Sequence, residues 1–271
     1  MIETNRILLD SEMIRSRLIR EGVGCALFWA ESIDSTNDWA KREAAKGAED
    51  GSVYLADHQS AGKGRRGRVW KSPEGTSVSM SLLLRPDIPA ERISMLTLIM
   101  GLSAAQGMKA ATGLEVGIKW PNDVVIRGKK LCGILTETDA KVEHVIIGIG
   151  INCNMEAFPP EIAEIATSLK LELGEGVSRE AVTAEVLKAF YRNYRLFRES
   201  CTIAGTLKTE YEELLVNRGQ QVRVLDPKGE YEGLSLGINE LGELLVQRMD
   251  NGETEAVYAG EVSVRGIYGY V

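Results

Sequence analysis

The sequence predicts an α+β fold in which a sheet flanked by helices is followed by a small β-barrel. Three observations lead there. Helical and strand periodicities interleave from Ser11 to Ile151, and apolar residues at helical spacing then dominate from Val182 to Leu214. From about Gly219 the pattern changes to short alternating segments, with turns such as Asp226-Pro227 and Asn251-Gly252 between them. The expected units are residues 1–216 and 217–271, an α+β domain and a β module.

Each element has a local cause. Ser11 to Gly22 places Ile14, Leu18 and Ile19 on one face, with Ser11 as N-cap and a closing glycine. A strand near Cys25 to Ala30 precedes a helix from about Thr36 to Lys46, capped by Ser35 or Thr36 and stopped at Gly47. Gly51 to Asp57 reads as a buried strand. Thr76 to Leu84 alternates Val78, Met80, Leu82 and Leu84, the pattern of a half-buried one. A long helix is expected over Ala90 to Ala111. Strands follow at Val116 to Lys119, Asp123 to Ile126, Lys130 to Thr138 and Val142 to Ile151, with Arg127-Gly128 as a turn. The result is a sheet of four to seven strands.

Composition removes several classes of function. Hydrophobic residues make up 44% and charged residues 26%, enough apolar material for a sizeable core, so the chain as a whole is not disordered. The formal charge of −7 is a poor match to a general nucleic-acid binder. Met1 to Asp10 lacks the pattern of a signal peptide, and no apolar run approaches the ~18 residues that cross a bilayer. Cys25, Cys132, Cys153 and Cys201 have no CxxC spacing, and only His58 and His144 could join them. Scattered buried thiols in a cytoplasmic protein are expected rather than a zinc site.

Four motifs could carry chemistry. In Gln59 to Trp70, QSAGKGRRGRVW, Gly62, Gly64 and Gly67 alternate with Lys63, Arg65, Arg66 and Arg68. Such a backbone is mobile and approaches a ligand closely, and its cations can converge on phosphate oxygens. A solvated loop or a basic patch for nucleic acid reads equally from the same residues, and neither P-loop nor dinucleotide spacing is present. Trp70 is either a stacking face or a strand-edge aromatic. In Lys119-Trp120-Pro121-Asn122-Asp123, followed by Lys130 and Gly133, two lysines near the ends of neighbouring strands could reach one cleft. Asn122 and Asp123 could orient a lysine or hold Mg²⁺; a plain hairpin with exposed lysines is the alternative. Gly148 and Gly150 in GIGIN mark close approach of a ligand or of a packed helix. Ser35-Thr36-Asn37 is a helix cap or a polar contact at a helix N-terminus.

Together, STN at 35–37, QSAGKGRRGRVW at 59–70, KWPND at 119–123, KLCGIL at 130–135 and GIGIN at 148–152 resemble the biotin protein ligase family. Gly219 to Val224 and the Gly260-Glu261-Val262 turn resemble its small SH3-like terminal domain. The resemblance implies a mixed, mainly antiparallel sheet related to the class II aminoacyl-tRNA synthetases. It implies an ATP-dependent ligase that makes biotinyl-5′-AMP and passes biotin to a lysine of the biotin carboxyl carrier protein of acetyl-CoA carboxylase. Ser35, Thr36, Asn37, Gln59, Gly62, Gly148 and Gly150 would then line the biotin pocket, with Gly133 beside the ring system. Lys63, Gly64 and Arg65 would hold biotin and the adenylate phosphate, and Arg66, Arg68, Lys119 and Asn122 the nucleotide. Lys130 would meet the reacting carboxylate and α-phosphate, Trp70 and Asn152 the adenine, and Asp123 Mg²⁺. Lys130 and Arg65 are the expected catalytic pair.

The family loop reads GRGR, and Lys63 in place of its first Arg keeps the charge without the bidentate fork. Only 28 residues precede Trp29, too few for a helix-turn-helix domain, so no DNA contact is expected. No membrane contact is expected either, and the oligomeric state, a homodimer included, stays open. Lipoate or octanoate ligases share the adenylate logic but carry Arg-Arg and a glycine triplet in this loop. A non-catalytic biotin-sensing module is the rival of another class.

Overall fold

A computed structural model describes residues 8–226, 229–259, 263–266 and 270; of Arg66 and Ser263 only the backbone is described. A seven-stranded sheet runs in the order β1-β2-β3-β7-β6-β5-β4. Its strands are β1 (Leu27–Ile33), β2 (Ser52–Gln59), β3 (Ser77–Leu84), β4 (Gly117–Lys119), β5 (Asp123–Ile126), β6 (Lys129–Thr138) and β7 (Val145–Asn152). Only β1 and β2 pair in parallel, so the sheet is mixed and mainly antiparallel, as expected. A second, five-stranded antiparallel sheet has the order β11-β10-β9-β8-β12. It comprises β8 (Gln221–Leu225), β9 (Tyr231–Ile238), β10 (Leu244–Arg248), β11 (Thr254–Val257) and β12 (Ser263–Gly266). Among the described residues no pairing closes β11 onto β12, and the Gly260-Glu261-Val262 turn lies outside them.

One face of the large sheet is covered by α3 (Met95–Thr112) and α5 (Arg179–Ser200), which carry Leu96, Ile99, Val186 and Phe190 into the main core. Helix α3 is buried nearly all round because it lies between sheet and α5. At Gly107 an added Cβ would stand 2.5 Å from the backbone of Val186, so the crossing needs a residue without a side chain. Helix α1 (Ser11–Arg20) packs on α5, and α6 (Thr206–Leu214) leads into the small sheet. On the opposite face α2 (Thr36–Ala45) covers only one end of the strands, burying Ala40 and Ala44 against Tyr54, Leu83 and Ile146.

Several sequence expectations are corrected. Asp10, not Ser11, caps α1, its carboxylate accepting from Met13 N. The long helix begins only at Met95, because Ala90–Arg92 forms a separate 3-10 turn. Val142 sits in a turn with φ of 59°, and β7 starts at Val145. Strand β3 is buried on both faces rather than one. The short helix α4 (Leu169–Leu173), capped by Ser168, was not anticipated.

The small sheet is docked on the large one. Trp120, fully buried, donates from Nε1 to Gly242 O at 3.0 Å, and its backbone N–H donates to Asn217 Oδ1. Val222, Val224, Ile238, Leu244 and Val246 join the same hydrophobic cluster as the main sheet. Among the described residues no helix is long and apolar enough to cross a membrane.

Candidate active site

The face of the large sheet that α2 leaves uncovered is built from small residues. Register places Ser81 beside Gly148, Ser79 beside Gly150, and Ser77 beside Asn152; Gly150 in turn faces Gly133. Since alternate residues share a face, the rows stack under one cavity, while Val78, Met80, Ile149 and Ile151 belong to the core. Farther along the strands the same face turns apolar at Leu83 and Ile146, where α2 sits. The cavity and its open mouth together hold about 740 Å³ of space not filled by protein atoms.

The three glycines of this floor have separate causes. At Gly148 a Cβ would fall 2.1 Å from Asn37 Oδ1, so the strand must yield space to the α2 side chain. At Gly133 it would meet Lys130 Nζ at 2.9 Å, which lets that lysine fold back over its own strand. At Gly150 nothing among the described residues lies within 4 Å of an added Cβ, so the missing side chain leaves open room.

The N-terminus of α2 forms one wall. Gln59 Oε1 accepts from Thr36 N at 2.8 Å and from Thr36 Oγ1 at 3.1 Å. Asn37 accepts from Ser81 Oγ at 2.6 Å and donates to Glu137 Oε2 at 2.7 Å. Ser35 occupies the cap position but makes no side-chain capping bond, so its hydroxyl is not used by the helix. All three side chains are buried, which fixes the wall in one arrangement.

The basic loop is a tight hairpin, not a loose segment. Trp70 N donates to Gly62 O at 2.9 Å, Gly64 N donates to Arg68 O at 2.7 Å, and Lys63 bridges Val69. A Cβ on Gly62 would meet Trp70 O at 2.5 Å, so Gly62 shapes the hairpin instead of lining the cavity. Lys63 Nζ is held by Asp38 of α2 at 2.6 Å. Arg65 reaches inward, donating to Asn122 Oδ1 at 2.8 Å and to Ala259 O, just past β11, at 2.9 Å.

At the far end three charged groups meet. Lys130 Nζ pairs with Asp123 Oδ1 at 2.6 Å, and Asn122 Nδ2 donates to the same oxygen at 3.2 Å. Lys119 is buried, and desolvation lowers its pKa from 10.5 to about 8, against the attraction of Asp123. The like charges of Lys130, Arg265 and Arg68 lower it further. Lys119 and Lys130 are not on neighbouring strands: β5 separates β4 from β6, and Asp123 on β5 pairs with Lys130 and attracts Lys119. Asp123, expected to hold Mg²⁺, has both oxygens in hydrogen bonds, to Lys130 and Asn122 on one side and to Tyr270 on the other. Among the described residues no three His, Cys, Asp or Glu side chains cluster as metal ligands. These residues therefore fit an ion pair rather than a resident metal.

Residues 29–152 match the family model of the biotin/lipoate A/B protein ligase family, and residues 219–265 match the biotin protein ligase C-terminal domain. The chain is 38% identical over 262 residues to the bifunctional ligase/repressor BirA of Bacillus subtilis, covering 94% of this chain and 79% of that one. It is 33% identical to the biotin--[acetyl-CoA-carboxylase] ligase of Mycobacterium tuberculosis, covering 94% and 95%. The chain belongs to the biotin protein ligase family. A solved biotin protein ligase from Aquifex aeolicus, in complex with biotin and ATP, superposes with a TM-score of 0.79 at 32% identity, covering 89% of this chain and 99% of that one.

In this ligase the cavity gathers most of the residues singled out in sequence. Ser35, Thr36, Asn37, Gln59, Lys63, Gly64, Arg65, Trp70, Asn122, Lys130, Gly133, Gly148, Gly150 and Asn152 all line it. Gly62, Arg68, Lys119 and Asp123 are not among its lining residues, and the Arg66 side chain lies outside the described residues. Sequence reasoning missed Ser77 and Ser79. Their signal is the alternation SVSMS, which a half-buried strand explains equally well. Among the described residues the buried Ser77 Oγ has no hydrogen-bond partner, a polar atom left for whatever fills the cavity beside Asn152.

Proposed function

We propose that residues 1–216 form the catalytic unit of a biotin ligase and residues 217–271 a small domain that completes its site. Biotin occupies the end of the cavity lined by Ser35, Thr36, Asn37, Gln59, Gly148 and Gly150, and the nucleotide the end lined by Trp70, Asn122 and Asn152. The observation that supports this reading is Lys130, which lines the cavity with its Nζ folded over Gly133.

In the first step a biotin carboxylate oxygen bonds to the α-phosphorus of ATP and the bond to pyrophosphate breaks. Two anions must approach, so cations are needed where charge gathers. Lys130 supplies one at the reacting centre, and Arg65, carried by the hairpin, supplies another. Mg²⁺ arrives as the counter-ion of the ATP substrate. The adenylate is a mixed anhydride that water would hydrolyse, and the hairpin over the cavity limits its access. In the second step the neutral ε-amine of the acceptor lysine attacks the acyl carbon, and AMP departs. The acceptor is the biotin carboxyl carrier protein of acetyl-CoA carboxylase, and the place of reaction is the cytoplasm.

The test is incubation with Mg²⁺, ATP and labelled biotin, with and without a carrier domain. Adenylate formation and label transfer are expected. Transfer of labelled octanoate or lipoate in preference to biotin would overturn the assignment, and so would biotin binding without adenylate. Lys130→Ala should lower biotin-dependent ATP–pyrophosphate exchange about 100-fold or more, since a charge-stabilising donor of this kind is lost. Exchange at the wild-type rate in that variant would remove Lys130 from the chemistry.

A further inference from the structure

Tyr270, near the end of the chain, reaches back onto the main sheet. Its hydroxyl donates to Asp123 Oδ2 at 2.5 Å, and Lys119 Nζ lies 3.5 Å from the centre of its ring. Asp123 spends its other oxygen on Lys130 and Asn122, and Asn122 in turn accepts from Arg65. A single aromatic residue thus touches both charged ends of the KWPND segment, and through Asp123 it is one hydrogen bond from Lys130.

The chemistry of the contact is directional. A carboxylate rotates easily about its terminal torsion, and one hydrogen-bonded oxygen does not stop it. Tyr270 fixes the second oxygen and so sets the plane in which Asp123 presents the first to Lys130. Burial and the nearby Asp123 charge both raise the Tyr270 pKa, which keeps the phenol protonated and a donor. On its face the ring offers negative potential to the Lys119 ammonium, which burial disfavours and which Lys130, Arg68 and Arg265 repel.

We propose that Tyr270 is a positioning residue for adenylate formation, contributed by the small domain: its hydroxyl orients Asp123 and thereby Lys130, and its ring holds Lys119 beside them. The proposal rests on the assignment of Lys130 to that reaction. It gives the small domain a chemical part in the first step, before any acceptor protein is bound.

Two variants of the full chain separate the parts. Tyr270→Phe keeps the ring and removes the donor; Tyr270→Leu removes both. Tyr270→Phe should lower kcat of biotin-dependent ATP–pyrophosphate exchange about tenfold, the scale of one hydrogen bond to a charged group, with KM for biotin unchanged. Tyr270→Leu should add a rise in KM for ATP. In an Asp123→Asn background Tyr270→Phe should have no further effect, because the hydroxyl acts through that carboxylate. Wild-type kcat in Tyr270→Phe, or losses that simply multiply in the double variant, would overturn the proposal. A readout without turnover is the ¹H shift of the Lys119 ε-methylene. It should lie upfield in the wild type and in Tyr270→Phe, and return to normal in Tyr270→Leu. An unshifted wild-type resonance overturns the placement of the ring whether or not the chain makes adenylate, whereas a wild type that makes none overturns the assigned reaction instead.

Discussion

Replacing Gly150 by Val separates the floor of the cavity from the fold that carries it. The backbone there is not among those with positive φ, and a Cβ would find no heavy atom of the described residues within 4 Å. The Cβ of a β-branched residue therefore fits β7, and strand propensity favours such a residue over Gly by up to about 1 kcal/mol. The added methyls project into the cavity between Ser79 and Gly133. If biotin lies on this floor, it must shift or the strand must bend, at the 1–3 kcal/mol typical of an overpacked site. That corresponds to a biotin Kd raised about 5- to 150-fold. Isothermal titration with biotin gives the affinity, and thermal unfolding of the free protein gives the control. The expected result is weaker binding with Tm unchanged or higher. Unchanged biotin affinity in a folded Gly150→Val variant would show that the ligand does not lie on this face.

Gly107→Ala makes the opposite case, since its Cβ would stand 2.5 Å from Val186 backbone atoms and force α3 and α5 apart. Overpacking of about 1–3 kcal/mol outweighs the ~1 kcal/mol that Ala gains over Gly in a helix; Tm should fall by several degrees while biotin affinity holds, and an unchanged Tm would contradict the close crossing. Lys119 gives a pH prediction with a definite sign. Its native pKa of about 8 lies below the value of 10.5 expected when unfolded, so between them the unfolded chain binds more protons and stability rises with pH. The burial penalty, full below about pH 8 and relieved above 10.5, is of order 3 kcal/mol. Urea unfolding at pH 7.5 and pH 10 should show this gain in the wild type and lose it in Lys119→Met, and equal pH dependence in the two would refute it. Over the same range the ammonium is lost, so a nucleotide step that uses it should slow as pH passes through 8.

The five motifs were legible because each needs particular residue types close together in the chain. STN must end a strand and begin a helix, a hairpin as tight as GKGRRG must be rich in glycine, and Lys130 needs Gly133 to fold over. The order of these segments also carried the family. What stayed hidden depends on strand neighbours. Ser77 and Ser79 look like the wet side of a strand until β7 is set beside β3, and only then do they share a floor with Gly150 and Asn152. Asp123 looks like a metal ligand until Lys130 and Tyr270 are seen to occupy its two oxygens.

Taken alone, the sequence determined most of the helices and strands, the second small sheet at the C-terminal end, the cationic segments and the family. Periodicity, capping and turn chemistry act over a few residues and can be read along the chain. The tertiary structure decided which small residues form the cavity, which lysine reaches it, where Lys63 is held, and that Tyr270 touches Asp123. Those outcomes depend on register and docking across as many as 147 positions, where neither spacing nor composition specifies which side chains meet.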